Sequence, residues 1–185
     1  EAASEHPSLI VIPESALPVY WQRSLALRQD FATIAQAGPS ILFNDVEEES
    51  DGRYYNVARL LAPGGLAGGP YRKVHLVPFG EYVPLPRVFF FVRQISTEIG
   101  AFERAAVPAV LRSGALAIGT AICYETIYPS LARRETADGA NLLVTISNDS
   151  WYGRGGAQEQ HFAGAVLRSV ENGRYLVRAA ITGIS

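Results

Sequence analysis

Cys123 is the only cysteine of the chain, and its thiol has the chemistry of a nucleophile. It follows an apolar run over residues 116–122, which predicts a strand, and it precedes a predicted helix over residues 129–137. A thiolate at a helix N-terminus is stabilised by unpaired backbone N–H groups and the helix dipole, so the pKa of Cys123 can fall into a reactive range. A lone cysteine can equally be a small buried apolar residue, so the groups near Cys123 must decide whether it is a nucleophile.

Two kinds of partner for this thiol are present in the sequence. A nucleophilic thiol needs a base, usually a histidine, and the candidates are His6, His75 and His161. Glu14 and Lys73 each follow a predicted strand, where α/β folds gather catalytic groups. A carboxylate can take the proton of a thiol, and an ammonium can neutralise the oxyanion of a tetrahedral intermediate. A Cys–His pair and a Glu–Lys–Cys site both stay open at this point.

The first half of the chain predicts the elements that would position Glu14. An apolar, β-branched run over residues 9–12 ends at a proline and predicts a buried strand. Apolar positions at helical spacing over residues 17–37 predict a helix. Residues 41–43 and 54–61 predict a strand and its hairpin partner, and the acidic stretch at 47–52 predicts a solvated turn between them.

The second half predicts a strand–helix–strand unit around Cys123. The strand at 116–122 and the helix at 129–137 are followed by a strand over residues 142–147. A further helix over 158–172, with Gly173 after its end, leads into a strand over 175–181. Because strands and helices alternate, we predict an α/β layered fold.

Residues 84–107 do not follow this alternation. They contain an apolar patch, with Phe89, Phe90 and Phe91 at its centre, between two prolines and two arginines. The patch is too short to span a bilayer. One interpretation is a loop folded onto the core, and the other is a lid or a segment that touches a membrane.

The composition bounds the class of protein. A length of 185 residues indicates one domain, and 48% hydrophobic with 18% charged residues predicts a folded chain. A net charge of -2 gives no basic field for a phosphate backbone, so we expect no nucleic-acid partner. No apolar run approaches the roughly 20 residues of a membrane span. Both ends resemble cuts from a longer chain, so we expect a fragment.

Several motifs in one order carry a family resemblance. The segments PESA at 13–16, RKVHLVPFGEYVP at 72–84 and ICYE at 122–125 resemble the carbon-nitrogen hydrolase (nitrilase) superfamily, which also has the order Glu, Lys, Cys. Within it, PFGEYVP at 78–84 and SNDSWYG at 147–153 resemble the bacterial apolipoprotein N-acyltransferases. The resemblance extends from residue 9 to the C-terminus.

The resemblance implies a fold and a domain organisation. The fold would be a nitrilase-like αββα sandwich, incomplete at both ends. Residues 1–185 would be a fragment of the carbon-nitrogen hydrolase domain, and the membrane-spanning N-terminal domain of the parent would be absent from it. The parent would lie in the bacterial inner (cytoplasmic) membrane, with this domain on the periplasmic or outer face.

Residue roles also follow from the resemblance. It implies that Glu14 is the general base, Lys73 the oxyanion stabiliser and Cys123 the nucleophile. Glu81 would be a second carboxylate that orients Lys73, and the backbone N–H of Tyr124 would complete the oxyanion hole.

Weaker expectations concern two further positions. Glu125 and Trp151 match family positions near the acyl or lipid site, although Trp151 could equally pack in the core. The implied chemistry needs no metal or organic cofactor.

The implied reaction is a two-step acyl transfer. Cys123 would take an acyl chain from a phospholipid as a thioester, and the N-terminal amine of a diacylglyceryl-cysteine lipoprotein would accept it. One alternative is a soluble amidase of the superfamily, which would hydrolyse the acyl-enzyme. Another is a non-catalytic binding module of the same fold. If residues 89–92 are exposed at the mouth of the Cys123 site, we expect a lipid to be the acyl donor. If they are buried away from the site, a small amide substrate is favoured.

Overall fold

The computed structural model describes residues 7–84, 102–153 and 155–185. Nothing is described for His6 or for Phe89, Phe90 and Phe91, so the expectations for those residues lie outside the described part of the chain. The helices within the described ranges include none that is long and apolar enough to cross a membrane.

Within the described ranges, the first sheet has five strands. They are β1 (Leu9–Val11), β2 (Ser40–Glu48), β3 (Tyr54–Ala62), β4 (Gly65–Leu66) and β5 (Tyr71–Arg72). The order is β1-β2-β3-β4, and β5 pairs with β3. β1 and β2 are parallel, and the remaining pairs are antiparallel. The predicted hairpin of β2 and β3 is therefore confirmed.

The second sheet has the order β6-β7-β8-β9, with β6 (Leu111–Ser113), β7 (Leu116–Ile122), β8 (Leu142–Asn148) and β9 (Tyr175–Ile181). β6 is antiparallel to β7, whereas β7, β8 and β9 are parallel. Parallel strands end at the same edge of a sheet. Cys123, directly after β7, therefore lies near Asn148 at the end of β8.

The α-helices of the described residues that flank the sheets are α1 (Leu25–Gln36), α2 (Pro129–Ala137) and α3 (Ala157–Asn172). α2 begins with a proline at its first turn, where no N–H partner is lost. α3 ends at Gly173, whose φ of 56° is the left-handed cap that glycine adopts without strain. The predicted strand–helix–strand unit around Cys123 is confirmed.

The layers have the order helix, sheet, sheet, helix. Leu42, Ala58 and Tyr71 of the first sheet pack with Ile118 and Ile146 of the second in one apolar cluster between the sheets. A second cluster joins α1 to the outer face of the first sheet. α2 contacts β7, and α3 contacts β9 and α2. This confirms the α/β layered fold predicted from the pattern and the αββα arrangement that the family resemblance implies.

The predicted helix over residues 17–37 was too long at its start. A short 3-10 helix occupies Trp21–Arg23, and α1 begins only at Leu25. The Oγ of Ser24 accepts a hydrogen bond from the N–H of Leu27 and caps the helix. The Trp21 N–H donates to Oδ1 of Asp45 at 3.0 Å, which holds this segment against the sheet. Apolar residues before Leu25 pack on α1 without being part of it.

The interpretation of the acidic stretch at 47–52 as a solvated turn was wrong for its first residues. β2 runs through Glu48, and Glu47 is buried. Nε of Arg59 donates to Oδ2 of Asp45 at 2.8 Å, and its Nη2 donates to Oε1 of Glu47 at 3.1 Å. Nε of Arg72 lies 2.6 Å from Oε2 of Glu47. Cross-strand arginines therefore keep these carboxylates in the sheet.

Candidate active site

Cys123 directly follows β7 and is the first residue of a 3-10 helix, Cys123–Ile127, which makes a tight turn there. Its φ is 55°, in the left-handed region that non-glycine residues rarely adopt. Such a conformation costs about 1–3 kcal/mol and persists where the surroundings fix it. The turn directs the residue out of the end of the strand, as a nucleophile requires.

Glu14 lies three residues after β1 and is buried, with 8% of its surface exposed. Its Oε2 accepts a hydrogen bond from the backbone N–H of Asn148 at 3.0 Å. Its Oε1 accepts one from Nδ2 of Asn56 at 3.3 Å. Because these donors come from β8 and β3, the carboxylate is fixed between the ends of both sheets.

Lys73 directly follows β5 and is almost completely buried, with 1% of its surface exposed. Its Nζ donates to Oε1 of Glu81 at 2.9 Å and lies 3.8 Å from Oε1 of Glu14. Burial lowers the pKa of Lys73, but nearby negative charge, chiefly that of Glu14 and Glu81, outweighs burial, and the pKa is raised. Lys73 is therefore a buried ammonium.

Glu81 and Asn56 complete the frame around Lys73. Oε1 of Glu81 also accepts from Nδ2 of Asn56 at 2.8 Å, and its Oε2 accepts from the N–H of Val77 at 2.9 Å. Asn56 is held in turn by Nδ2 of Asn44, which donates to its Oδ1 at 2.7 Å. The sequence reasoning missed Asn56, which bonds to both Glu14 and Glu81.

The electrostatic environment of Cys123 differs from the expectation of a lowered pKa. Burial, followed by the charge of Glu14, raises the pKa of the thiol to about 11. Lys73 and a hydrogen bond with Ser147 lower it, but by less. A short 3-10 helix offers too little dipole to overcome burial beside a carboxylate. The thiol is therefore protonated near neutral pH and needs a base, and of its two hydrogen-bond partners, Ser147 and Glu14, only Glu14 is a carboxylate.

Glu125 lies beneath the site and is fully buried. Its Oε1 accepts from the N–H groups of Val74 and His75 at 2.7 and 2.9 Å. Its Oε2 accepts from the Tyr71 hydroxyl at 2.7 Å and from the N–H of Ile122 at 2.9 Å. These bonds tie the segment after Lys73 to the residue before Cys123. Glu125 thus supports the site by joining these two segments, and its expected nearness to an acyl chain stays a prediction.

The two described histidines have other partners than the Cys123 sulfur. His161 is buried; its Nε2 lies 3.0 Å from the carbonyl oxygen of Cys123, and its Nδ1 lies 3.0 Å from Oδ1 of Asp149. His75 stacks on the ring of Tyr128, with centroids 4.0 Å apart. These contacts do not form the Cys–His pair that the sequence left open.

Trp151 and Tyr124 are the remaining residues for which the family resemblance implies a role. Trp151 belongs to a short 3-10 helix after β8 and is 82% exposed, which rules out the alternative of core packing. The ring of Tyr124 lies edge-on to that of Tyr128, with centroids 5.6 Å apart. Across the described ranges, no three His, Cys, Asp or Glu side chains are grouped as metal ligands.

The sequence pattern that defines the carbon-nitrogen hydrolase family matches residues 1–185. The chain belongs to the carbon-nitrogen hydrolase family. Its sequence is 42% identical over 193 residues to an apolipoprotein N-acyltransferase of Geobacter metallireducens, covering 100% of this chain and 36% of that relative. It is 34% identical over 194 residues to an apolipoprotein N-acyltransferase of Nitrosomonas europaea, covering 100% of this chain and 38% of the relative. The chain thus spans little more than a third of either relative.

Solved structures of two further proteins share the fold of this chain. A carbon-nitrogen hydrolase from Helicobacter pylori G27 superposes with a TM-score of 0.71 at 20% identity, over 100% of this chain and 66% of that one. An amidase from Nesterenkonia sp. AN1, captured after acrylamide addition at its active-site cysteine, gives a TM-score of 0.66 at 22% identity. That match covers 97% of this chain and 67% of the amidase.

Proposed function

We propose that this domain serves an N-acyltransferase that moves an acyl chain from a phospholipid, through a thioester on Cys123, to the N-terminal amine of a diacylglyceryl-cysteine lipoprotein. The observation that carries the proposal is the buried cluster of Glu14, Lys73 and Glu81 beside Cys123. The names of relatives at 42% and 34% identity support lipid rather than a small amide as the acyl source. The proposal concerns the full-length gene product.

In the first step, Glu14 takes the thiol proton of Cys123 as the sulfur attacks the ester carbonyl carbon of the phospholipid. The negative charge that develops on the carbonyl oxygen is stabilised by the Lys73 ammonium and by the N–H of Tyr124. When the intermediate collapses, the carbon–oxygen bond to the glycerol breaks. The leaving alkoxide takes the proton from Glu14, and a lysophospholipid departs.

In the second step, the α-amino group of the lipoprotein attacks the thioester carbon. Glu14 accepts a proton from the amine, and the carbon–sulfur bond breaks as the amide forms. The departing sulfur of Cys123 recovers a proton from Glu14, which restores the resting site. Thioesters are good acyl donors to amines, which is why a thiol suits this transfer better than a hydroxyl.

Glu81 has a supporting role in both steps. Its bond to Nζ of Lys73 at 2.9 Å holds the ammonium in a site with almost no exposure to water. A fixed charge in a dry site needs no reorganisation when the oxyanion forms. Asn56 links Glu81 to Glu14 and maintains the spacing between ammonium and base.

The proposed substrates require contact with a membrane. We place the domain at the outer or periplasmic face of the bacterial inner membrane, as the family resemblance implies. Trp151, 82% exposed, and the apolar patch with Phe89, Phe90 and Phe91 are the candidate lipid contacts. Tryptophan is well suited to such a boundary because its ring is apolar and its N–H is polar.

The test is acyl transfer by the full-length protein. Phosphatidylethanolamine carrying a labelled acyl chain is mixed with a diacylglyceryl-cysteine peptide, and the peptide is analysed for a labelled amide. We expect label on the peptide amine with the wild type and none with Cys123→Ala. Label released as free fatty acid, with none on the peptide, would contradict acyl transfer and favour the hydrolytic alternative. Absence of both products would favour the non-catalytic alternative.

A further inference from the structure

His161 lies on α3 and is buried directly behind the nucleophile turn, with 4% of its surface exposed. Its Nε2 contacts the carbonyl oxygen of Cys123 at 3.0 Å. Its Nδ1 lies 3.0 Å from Oδ1 of Asp149 and 3.2 Å from Nη2 of Arg178. None of these contacts has a part in the acyl-transfer steps above.

The contacts fix where the ring carries its proton. A carbonyl oxygen only accepts hydrogen bonds, so Nε2 of His161 must be the donor to Cys123. Nδ1 can accept from Arg178 in the neutral ring or donate to Asp149 in the charged ring. In both charge states Nε2 keeps its hydrogen, so the bond to the Cys123 carbonyl is maintained.

The carbonyl that His161 holds belongs to the same peptide group as the N–H of Tyr124. The peptide bonds of the described chain are trans, and a trans peptide is planar with its C=O and N–H pointing in opposite directions. Fixing the oxygen on the side of α3 therefore directs the Tyr124 N–H to the other side. A hydrogen bond to the carbonyl also polarises the peptide and strengthens its N–H as a donor.

We propose that His161 is a positioning residue that orients the Cys123–Tyr124 peptide so that its N–H stabilises the oxyanion. The inference rests on the proposed function, because it takes the Tyr124 N–H as an oxyanion donor. The turn at Cys123, with φ of 55°, needs an external contact to keep this peptide orientation. His161 supplies that contact from a different element of the fold.

The support behind His161 is rigid. Asp149 is fully buried and accepts from Oγ of Ser147 at 2.6 Å and from Arg178. Nε of Arg178 donates to the carbonyl of Ile184 at 2.8 Å. These bonds connect β8, β9 and the segment after β9, so the imidazole cannot shift without disturbing all three.

Two variants of the full-length protein separate the Nδ1 contact from the Nε2 contact. In His161→Asn the side-chain amide reaches the position of Nδ1 but not that of Nε2. In His161→Gln the amide reaches the position of Nε2 and can donate to the Cys123 carbonyl. Both variants leave Cys123, Glu14 and Lys73 in place.

The measurement is the ratio of two reactions at Cys123. The first is acylation by p-nitrophenyl butyrate, in which sulfur bonds to the carbonyl carbon, the thiol proton passes to Glu14 and p-nitrophenolate leaves. The second is alkylation by iodoacetamide, in which sulfur displaces iodide and no oxyanion forms. A general loss of folding or thiol reactivity lowers both rates, whereas loss of the oxyanion donor lowers acylation alone.

We expect His161→Asn to lower the acylation-to-alkylation ratio at least about tenfold, part of the roughly 10²–10³-fold effect of deleting an oxyanion donor. His161→Gln should recover most of the ratio. An unchanged ratio in His161→Asn, or equal losses in both variants, would overturn the inference. If His161→Asn does not fold, a ratio about tenfold or more below wild type in folded His161→Gln overturns it as well.

Failure of the proposed function is distinguishable in the same experiment. One outcome is a wild type that is acylated by p-nitrophenyl butyrate and not by phosphatidylethanolamine. That result would remove the lipid substrate and leave the role of His161 intact.

Discussion

Glu14 is expected to act on Cys123 in two opposing ways, and replacing it with glutamine should separate them. Its negative charge helps to raise the pKa of the thiol to about 11, and its carboxylate is the proposed acceptor of the thiol proton. A pKa of about 11 leaves roughly one thiol in 10⁴ ionised at pH 7. Glu14→Gln should therefore make the thiolate more abundant while removing the base.

The size of each effect follows from the contacts of the thiol. The pKa of Cys123 rises from 9.0 to about 11, with burial as the largest cause and the charge of Glu14 as the second. Burial stays in Glu14→Gln, so removing that charge returns only part of the rise, and alkylation by iodoacetamide at pH 8 should accelerate by less than the roughly 100-fold that the whole rise would give. Acyl transfer should fall by about 10²–10⁴-fold, the usual contribution of a general base.

The assay compares both rates in the full-length protein, with Glu48→Gln as the control. Glu48 forms an exposed ion pair with Arg23, so the same loss of one charge should leave both rates near those of the wild type. A parallel fall of alkylation and acyl transfer in Glu14→Gln would refute this reasoning, since it would mean that Glu14 only maintains the structure. Retained acyl transfer would remove Glu14 as the base.

Three further predictions concern buried charges. Lys73→Arg should lower acylation of Cys123 at least about 100-fold in single-turnover measurements, because a guanidinium is wider than the ammonium site. Arg59→Met should destabilise the protein by about 3–5 kcal/mol, seen in thermal unfolding, because Asp45 and Glu47 lose a buried partner. Burial raises the pKa of Glu135 well above its usual value of 4.5. The protonated side chain therefore contributes its full stabilisation below pH 4.5, and this contribution is lost as the pH rises toward the folded-state pKa. Glu135→Gln should therefore raise the unfolding temperature more at pH 8 than at pH 5.

Each of these predictions has a control or a contradicting result. Full acylation by Lys73→Arg would take Lys73 out of the mechanism. Arg23→Met removes an arginine from an exposed pair and should change stability by less than about 1 kcal/mol; an equal loss in Arg59→Met would contradict the role of burial. Glu159→Gln, exposed on α3, is the control for Glu135→Gln, and an equal effect at both pH values in the latter would contradict the pKa argument.

The parts of the fold that the sequence predicts correctly are those with local signals. The strand before Cys123 is a continuous apolar run, and α2 has a proline at its start and Gly139 after its end. The hairpin of β2 and β3 likewise follows from its apolar pattern. These signals come from residues close together in the chain, so no tertiary contact is needed to read them.

The errors arise where distant residues decide the local structure. α1 starts late because Trp21 is tied to Asp45, 24 residues away. Glu47 stays in β2 because Arg59 of β3 and Arg72 of β5 reach it from other strands of the sheet. The apolar pattern alone gives no sign of either contact.

The same limit applies to the candidate site. The position of Cys123 after a strand is readable from the sequence, but the direction of its pKa shift depends on burial and on Glu14, 109 residues earlier. Asn56 has no motif of its own and emerges only when β3 is paired with its neighbours. A polar side chain in the middle of a predicted strand, on an otherwise apolar face, is the signal that could have indicated it.

The most direct test of the account is the mass of the protein after a single turnover. Full-length protein is incubated with labelled phosphatidylethanolamine, without acceptor, and digested for mass spectrometry. We predict a hydroxylamine-sensitive acyl group on the peptide that contains Cys123, and its absence in Cys123→Ala. Label that persists in Cys123→Ala, or a wild-type protein that never acquires it, would contradict the thioester on which the account depends.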